Sequence, residues 1–131
     1  MHELTAEGVV RGRDEYRMLA TMLSAALATT PEGADCAYAI GRESGRHLAE
    51  EPAADVAALL DREGFAAKQE SDRIEMRRCP FYALAETEPR IVCTLHRGII
   101  DGALEEMGSE QRVERLDAFV EPTLCVAHLR P

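Results

Sequence analysis

The sequence predicts an α+β fold in which one antiparallel sheet of about four strands packs against helices. Three observations favour this class. The first half of the chain carries apolar residues at helical spacing, a long helical pattern follows Pro89, and an alternating segment lies on each side of that pattern. The predicted order is therefore three helices, a β-hairpin, two helices and a second β-hairpin.

The composition is typical of one globular domain, with 131 residues that are 46% hydrophobic and 30% charged. Fifteen basic and 24 acidic residues give a net charge of −9, which disfavours direct binding of this chain to nucleic acid. The sequence contains no apolar run of membrane-spanning length and no signal-peptide pattern, so we expect a cytoplasmic protein without membrane contact. We assign residues 1–13 to an N-terminal extension and residues 14–131 to a single domain.

The first predicted helix is apolar on almost every side. From Tyr16, one stripe runs through Leu19, Leu23 and Leu27, and methionine and alanine residues form a second stripe beside it. A helix of this kind is either buried in its own domain or paired with another chain.

The second predicted helix contains two interior glycines. Thr30-Pro31-Glu32 predicts its start, and it runs to about Glu50. Gly41 and Gly45 lie on its apolar face, where each costs about 1 kcal/mol relative to alanine. Such glycines indicate that a backbone or a ligand comes close. Close helix packing is one interpretation, and a small-molecule pocket beside Gly41 and Gly45 is the other.

The remaining elements are predicted from helix caps and from alternation of apolar and polar residues. They are a third helix from Pro52 to Gly64, a hairpin that turns at Ser71-Asp72, a helical turn over Phe81–Glu86, a long helix from Pro89 to Gly108, and a hairpin of Val113–Phe119 with Thr123–Leu129.

The four cysteines carry the most chemical information. In a reducing cytoplasm they remain thiols, and none belongs to a Cys-x-x-Cys pair. Cys79 follows the first hairpin, Cys93 lies near the start of the long helix, and Cys125 lies in the last strand. If that strand meets the long helix, these three thiols converge. Cys36 fits a core position on the second helix.

The surroundings of Cys93 predict a thiolate, which is the form that binds metals. The first turn of a helix favours a negative charge, and His96 shares the helix face of Cys93. His96 is therefore a candidate fourth ligand beside the three cysteines, and the alternative is a hydrogen-bonded core histidine. Four arginines in the same two segments act in the same direction on the thiol pKa, namely Arg77, Arg78, Arg90 and Arg97.

Catalytic motifs are missing from the sequence. It contains no glycine-rich phosphate loop, no Gly-x-Ser-x-Gly elbow and no His-Glu-x-x-His helix. We therefore expect a protein that is not an enzyme. A thiol activity at Cys93 with His96 as its base has the least support, because no third orienting group is visible.

Two segments resemble a family of bacterial regulators. One is Cys79-Pro80-Phe81-x-x-Leu84-Ala85, continued by Pro89-x-Ile91-Val92-Cys93-x-x-His96-x-Gly98, and the other is Phe119-Val120-Glu121-Pro122-x-Leu124-Cys125-Val126-Ala127-His128-Leu129. Together they are similar to winged-helix transcriptional regulators, loosely called ArsR-like, whose α+β sensor domain follows the DNA-binding part. The resemblance covers about Tyr16 to Arg130.

The resemblance implies a sensor domain that forms a homodimer. In one branch of the family, the repressors of iron–sulfur-cluster assembly, cysteines of this region bind a cluster, and Cys79, Cys93 and Cys125 match those positions. We therefore predict a ligand- or metal-sensing regulatory domain with a three-cysteine site for an iron–sulfur cluster, zinc or redox sensing. The family's winged helix would precede residue 1, so we expect a sensor domain that lacks it. The alternative is a small-molecule-binding module with core cysteines and no metal.

Overall fold

A computed structural model describes residues 6–131, with side chains from Glu15 onward. It confirms the α+β class and the predicted order of elements. The elements are α1 (Ala6–Ala28), α2 (Gly33–Leu48), α3 (Val56–Arg62), β1 (Ala67–Glu70), β2 (Arg73–Met76), α4 (Tyr82–Thr87), α5 (Pro89–Glu106), β3 (Arg112–Glu121) and β4 (Leu124–Arg130). The boundary predicted at residue 13 falls inside α1, and the first five residues of the predicted extension lie outside the described part.

Several helix starts differ from the prediction. The hydroxyl of Thr30 donates to a carbonyl of α1 at 3.1 Å instead of capping α2, which begins at Gly33. α3 begins after Asp55, whose carboxylate accepts a backbone N–H at 2.8 Å, so Pro52 lies in the preceding loop. A helix starts where its free N–H groups find an acceptor, and this explains the later start of α3. None of the helices in residues 6–131 is long and apolar enough to cross a membrane.

The two hairpins form one antiparallel sheet with the strand order β1-β2-β4-β3. β2 joins them by pairing with β4, so that Ile74 lies opposite Ala127 and Met76 lies opposite Cys125. The first hairpin turns at Ser71-Asp72, as predicted. Because β4 is a central strand, Cys125 is buried in the middle of the sheet.

The hydrophobic core lies between the sheet and the helices α3 and α5. Its largest fully buried side chains are Leu59 and Leu60 of α3, Ile74 and Met76 of β2, Ile100 of α5 and Val113 of β3. Asp101 is buried beside them and is satisfied by two donors. Its carboxylate accepts the hydroxyl of Tyr38 at 2.5 Å and the backbone N–H of Val113 at 2.7 Å. This carboxylate therefore connects α2, α5 and β3.

The helices α2 and α5 approach each other at backbone distance. A Cβ added to Gly41 would lie 2.2 Å from a carbonyl oxygen of α5, and one added to Gly45 would lie 2.1 Å from another. Gly98 and Gly102 of α5 make the same close approach to α2. Close helix packing, one of the two predicted reasons for these glycines, is confirmed. The predicted ligand site at Gly41 and Gly45 is wrong, because the backbone of α5 fills that space.

Candidate functional site

Three separate segments bring Cys79, Cys93 and Cys125 to the same end of the domain. Cys79 lies in the loop between β2 and α4, Cys93 lies one turn past Pro89 in α5, and Cys125 lies in β4. Since Met76 pairs with Cys125, the chain leaves β2 beside β4 just before it reaches Cys79. Cys93 faces β3, the other neighbour of β4, across a shallow hollow.

The three thiols act on one another electrostatically. Burial raises the pKa of Cys93 to about 11, and the neighbouring thiols of Cys125 and Cys79 add to the rise. Burial also raises the pKa of Cys79; a backbone hydrogen bond from Phe81 opposes this rise, and Cys125 adds to it. The three thiols therefore lie within electrostatic range of one another, although among residues 15–131 no three ligand side chains are close enough together to bind a metal ion.

The predicted thiolate at Cys93 is wrong. Cys93 lies beyond the first turn of α5, where the effect of the helix dipole fades. Nearby arginines are engaged elsewhere: Arg90 donates to a carbonyl at the end of α1, Arg97 lies over a tyrosine ring of α2, and Arg77 pairs with two glutamates. Burial and repulsion between the thiols therefore decide the direction, and they raise the pKa of Cys93.

His96 lies one turn further along α5, with 2% of its surface exposed. Its ring stacks on Phe65 with 4.5 Å between centroids and meets the edge of Phe81 at 6.5 Å. Burial lowers the pKa of His96 to about 4, so the imidazole is neutral near pH 7. Among the described residues, its Nε2 atom has no hydrogen-bond partner. His96 therefore occupies the core position of the alternative interpretation, but the hydrogen bond that this interpretation includes is not found at Nε2.

The donor chemistry of this corner suits a soft metal, although the site is not preformed. Among residues 15–131, no group of three or more His, Cys, Asp or Glu side chains is arranged to bind a metal ion. The four cysteines are free thiols. Thiolates select zinc and iron–sulfur clusters, so Cys79, Cys93 and Cys125 fit such a group in donor chemistry but not in their present arrangement. Ligation would require deprotonation and a further approach of the sulfur atoms.

Cys36 does not belong to this corner. The sequence predicted a core position, but Cys36 is exposed on the outer surface of α2. The buried positions of α2 are small residues, namely Gly33, Ala37, Gly41 and Gly45; of these, Gly41 and Gly45 lie against the backbone of α5. The predicted core position of Cys36 is therefore wrong, because the small-residue stripe and not the neighbouring stripe of Cys36 faces the domain.

β3 bulges directly opposite Cys125. The register of β3 and β4 shifts between Asp117 and Glu121, so three residues of β3 lie across from Cys125 alone. Phe119 in this bulge has a φ of 55°, and its ring packs edge-on against Tyr82 of α4 at 5.3 Å. Bulges and left-handed residues are enriched beside functional sites. The sequence did not predict this bulge, because the left-handed residue is neither glycine nor asparagine.

A separate cleft of about 440 Å³ lies where α2, α3 and the end of α5 meet. Its lining includes the apolar side chains of Val56, Leu104 and Met107 and the amide side chains of Gln69 and Gln111. None of the predicted site residues lines it.

Comparisons with known proteins identify no family for this chain. No protein-family model matches it, and no curated protein and no solved structure matches it. The resemblance to winged-helix regulators stays a prediction, and the functional argument depends on the geometry described above.

Proposed function

We propose that this chain is a sensor domain, regulatory and not catalytic, in which Cys79, Cys93 and Cys125 together bind zinc or an iron–sulfur cluster. The observation that carries the proposal is that the pairing of β2 with β4 and the start of α5 bring cysteines from three distant parts of the sequence to the same end of the domain, where they influence one another's pKa. Thiolates are the preferred ligands of both groups. A reducing cytoplasm is part of the proposal, because the four cysteines are free thiols.

The chain's own residues contribute unequally to such a site. Cys125 lies in a strand of the sheet and Cys93 in a helix, whereas Cys79 lies in the loop between β2 and α4, so ligation would require this loop to move toward them. The Cys93 thiol is protonated near pH 7 in the free protein, since burial and the neighbouring Cys125 and Cys79 raise its pKa to about 11. A bound metal ion or cluster supplies the positive charge that stabilises three neighbouring thiolates. Binding therefore releases protons and fastens the Cys79 loop to α5 and β4.

We propose His96 as the fourth protein ligand. It is one helical turn from Cys93, it is neutral near pH 7, and its Nε2 is free of hydrogen bonds among the described residues. To reach the thiols, the ring would leave its stack on Phe65. Replacing His96 with glutamine should therefore weaken metal binding without abolishing it, measured as zinc affinity by competition with a chelator.

In this proposal, a change at the thiols is transmitted to α1 through the start of α5. Cys79 lies three residues before the start of α4, and Arg90 of α5, three residues before Cys93, donates to the Ala28 carbonyl of α1 at 3.2 Å. Loss of the metal would release the Cys79 loop and loosen these contacts. Direct nucleic-acid binding is not part of the proposal, because the net charge is −9.

Purification under anaerobic conditions tests this function. We expect wild-type protein to contain zinc, or iron with matching sulfide and a visible absorption band. Cys79→Ser and Cys93→Ser should lose the metal, whereas the matched control Cys36→Ser should retain it, because Cys36 lies on the outer surface of α2. Equal metal content in all four proteins would overturn the proposal, as would wild-type protein that binds no metal after loading with zinc or with iron and sulfide.

A second candidate function is the binding of a small uncharged molecule, which the 440 Å³ cleft favours. Its apolar side chains, its two amide side chains and the carboxylate of Asp55 suit a ligand with an apolar body and a few hydrogen-bonding groups. Screening uncharged fragments by ligand-observed NMR tests it. Binding that disappears in Ala53→Phe, which would fill the cleft, would support this candidate, and an absence of saturable binding would remove it.

A further inference from the structure

Cys125 is the least accessible of the three thiols in the proposed site. It has 3% of its surface exposed, whereas Cys79 and Cys93 are partly exposed. Cys125 belongs to the hydrophobic core, because it lies in the central strand β4. A metal ion that reaches all three thiols must therefore gain access to Cys125 first. The segment that covers this thiol decides when such access is possible.

The segment across from Cys125 is the bulge of β3, residues 118–120. The pairing of β3 with β4 stops at Asp117 and resumes at Glu121. Phe119, at the centre of the bulge, packs against the core cluster that contains Cys125. A bulge disrupts the ladder locally, so its residues are held by fewer hydrogen bonds between strands. Side-chain contacts therefore decide how firmly this cover stays in place.

An aromatic contact at the surface holds the bulge against α4. The ring of Phe119 meets the ring of Tyr82 edge-on, with 5.3 Å between centroids. Phe119 has a φ of 55°, a left-handed conformation that is unfavourable for a bulky residue and persists only where surrounding contacts impose it. Tyr82 has 39% of its surface exposed, so the contact lies where solvent can replace it. The two rings can therefore part without exposing the large side chains of the core.

Tyr82 also connects this contact to the loop that carries Cys79. The backbone N–H of Tyr82 donates to the carbonyl of Cys79 at 3.1 Å. The neighbouring ring of Phe81 is anchored separately in the core, where it meets Phe65 at 5.7 Å and His96 at 6.5 Å. A contact at the surface thus holds both the cover of Cys125 and the outer end of the loop that must move during ligation.

We infer that the contact between Phe119 and Tyr82 is a gate over Cys125. While the two rings touch, Cys125 is closed to solutes and the Cys79 loop stays in place. When the rings part, Cys125 becomes accessible and the loop can approach it. The role of this gate in metal binding rests on the proposed function, whereas the gate itself depends only on the β3 bulge and α4.

Alkylation of the reduced full chain with iodoacetamide, followed by mass spectrometry of each cysteine peptide, tests the gate. In the wild type, Cys125 should react through local opening, so low concentrations of urea should not change its rate. Phe119→Ala and Tyr82→Ala should each raise this rate about 10-fold, the value of a well-placed aromatic pair. The double variant should add little to either single variant. The matched control Val120→Ala changes an exposed residue of the same bulge and should react like the wild type, and the exposed Cys36 provides the reference rate in every protein.

Two results would overturn the gate. One is a Cys125 thiol that reacts only through global unfolding, with a rate that rises with urea as steeply as the unfolding equilibrium does. The other is an unchanged Cys125 rate in folded Phe119→Ala and Tyr82→Ala. Circular dichroism establishes that each variant is folded, and if Phe119→Ala is not, Tyr82→Ala decides, because it changes an exposed position of α4.

Zinc kinetics separate the gate from the metal site. Stopped-flow mixing of the reduced protein with zinc, and of the loaded protein with a chromophoric chelator, should show faster loading and faster release in Phe119→Ala than in the wild type, by a factor similar to that of alkylation. Equal zinc kinetics in the two proteins would overturn the role of the gate in metal binding. A wild-type protein that binds no zinc would overturn the proposed metal site, and alkylation alone would then decide the gate.

Discussion

The two halves of α5 lie in one helix and differ in how completely their groups are satisfied. In the second half, Gly98 and Gly102 fit against the backbone of α2, and the buried Asp101 has two hydrogen-bond donors. In the first half, the pKa of Cys93 is raised by burial and by two other thiols, and Nε2 of the buried His96 has no partner among the described residues. In the second half of α5 the buried polar groups have hydrogen-bond partners, which is typical of a structural role. In the first half they do not all have partners among the described residues, and this is the half where we propose the function.

Among the tests of this comparison, we expect the largest loss of stability from Gly102→Ala, in the second half of α5. Its new Cβ would lie 1.9 Å from a carbonyl oxygen of α2, so the two helices must separate. We expect the free energy of unfolding to fall by about 3 kcal/mol or more, measured by urea denaturation. Gly108→Ala is the matched control, because its Cβ would have open space and only its φ of 79° would cost about 1 kcal/mol. Equal losses in the two variants would contradict the close packing of α2 and α5.

The next largest effect is expected at His96, in the first half of α5, and it concerns how the free energy of unfolding changes as the pH falls. The folded pKa of His96 is about 4, below its usual 6.5, so the unfolded chain binds the proton more readily between these two values. Stability from this group is therefore complete above pH 6.5 and is lost as the pH falls toward 4, by about 3 kcal/mol in total. His96→Phe keeps the aromatic stack on Phe65, and its free energy of unfolding should not fall by this amount between pH 6.5 and pH 4.

Urea unfolding of both proteins at several pH values between 4 and 7 measures the difference. The free energies of the wild type and of His96→Phe should diverge as the pH falls, since the carboxylates contribute equally to both. Parallel curves would show that His96 is not a buried neutral imidazole.

We expect the smallest loss of stability from a change at the hydrogen bond between Tyr38 and Asp101, in the second half of α5. Tyr38→Phe removes the hydroxyl that donates to buried Asp101 and should cost about 1.5–3 kcal/mol, because the acceptor is a carboxylate. Tyr82→Phe removes the same group from an exposed tyrosine of α4 and should change stability by less than about 0.5 kcal/mol. Thermal unfolding of both variants measures the contrast, and a Tyr38→Phe protein as stable as the wild type would remove Asp101 from the helix connection.

The order of elements was predictable because its signals are local. Pro89 starts α5, and Gly64 and Gly108, with φ values of 98° and 79°, follow the ends of α3 and α5. The sequence predicted only conditionally that Cys79 and Cys125 lie near each other. Their proximity depends on the pairing of β2 with β4, and no local pattern specifies that pairing.

Tertiary burial explains what the sequence did not predict. The pKa of Cys93 follows from desolvation and neighbouring thiols, whereas the sequence shows only the helix position and nearby arginines. The periodicity of α2 predicted that the face of Gly41 and Gly45 is packed, whereas the periodicity of α1 did not indicate which of its faces meets the domain. Small residues turned out to face inward in both helices, which exposes Cys36 on α2 and Tyr16 on α1.

Zinc titration of the reduced protein under argon tests most directly whether the three thiols act as one site. Because a thiol must lose its proton to bind a metal, one zinc ion should bind per chain and release protons, which are recorded with a pH indicator. Cys79→Ser and Cys93→Ser should each bind zinc more weakly and release about one proton fewer. The account would be contradicted by the absence of saturable zinc binding, or by the same proton release from the wild type and both variants.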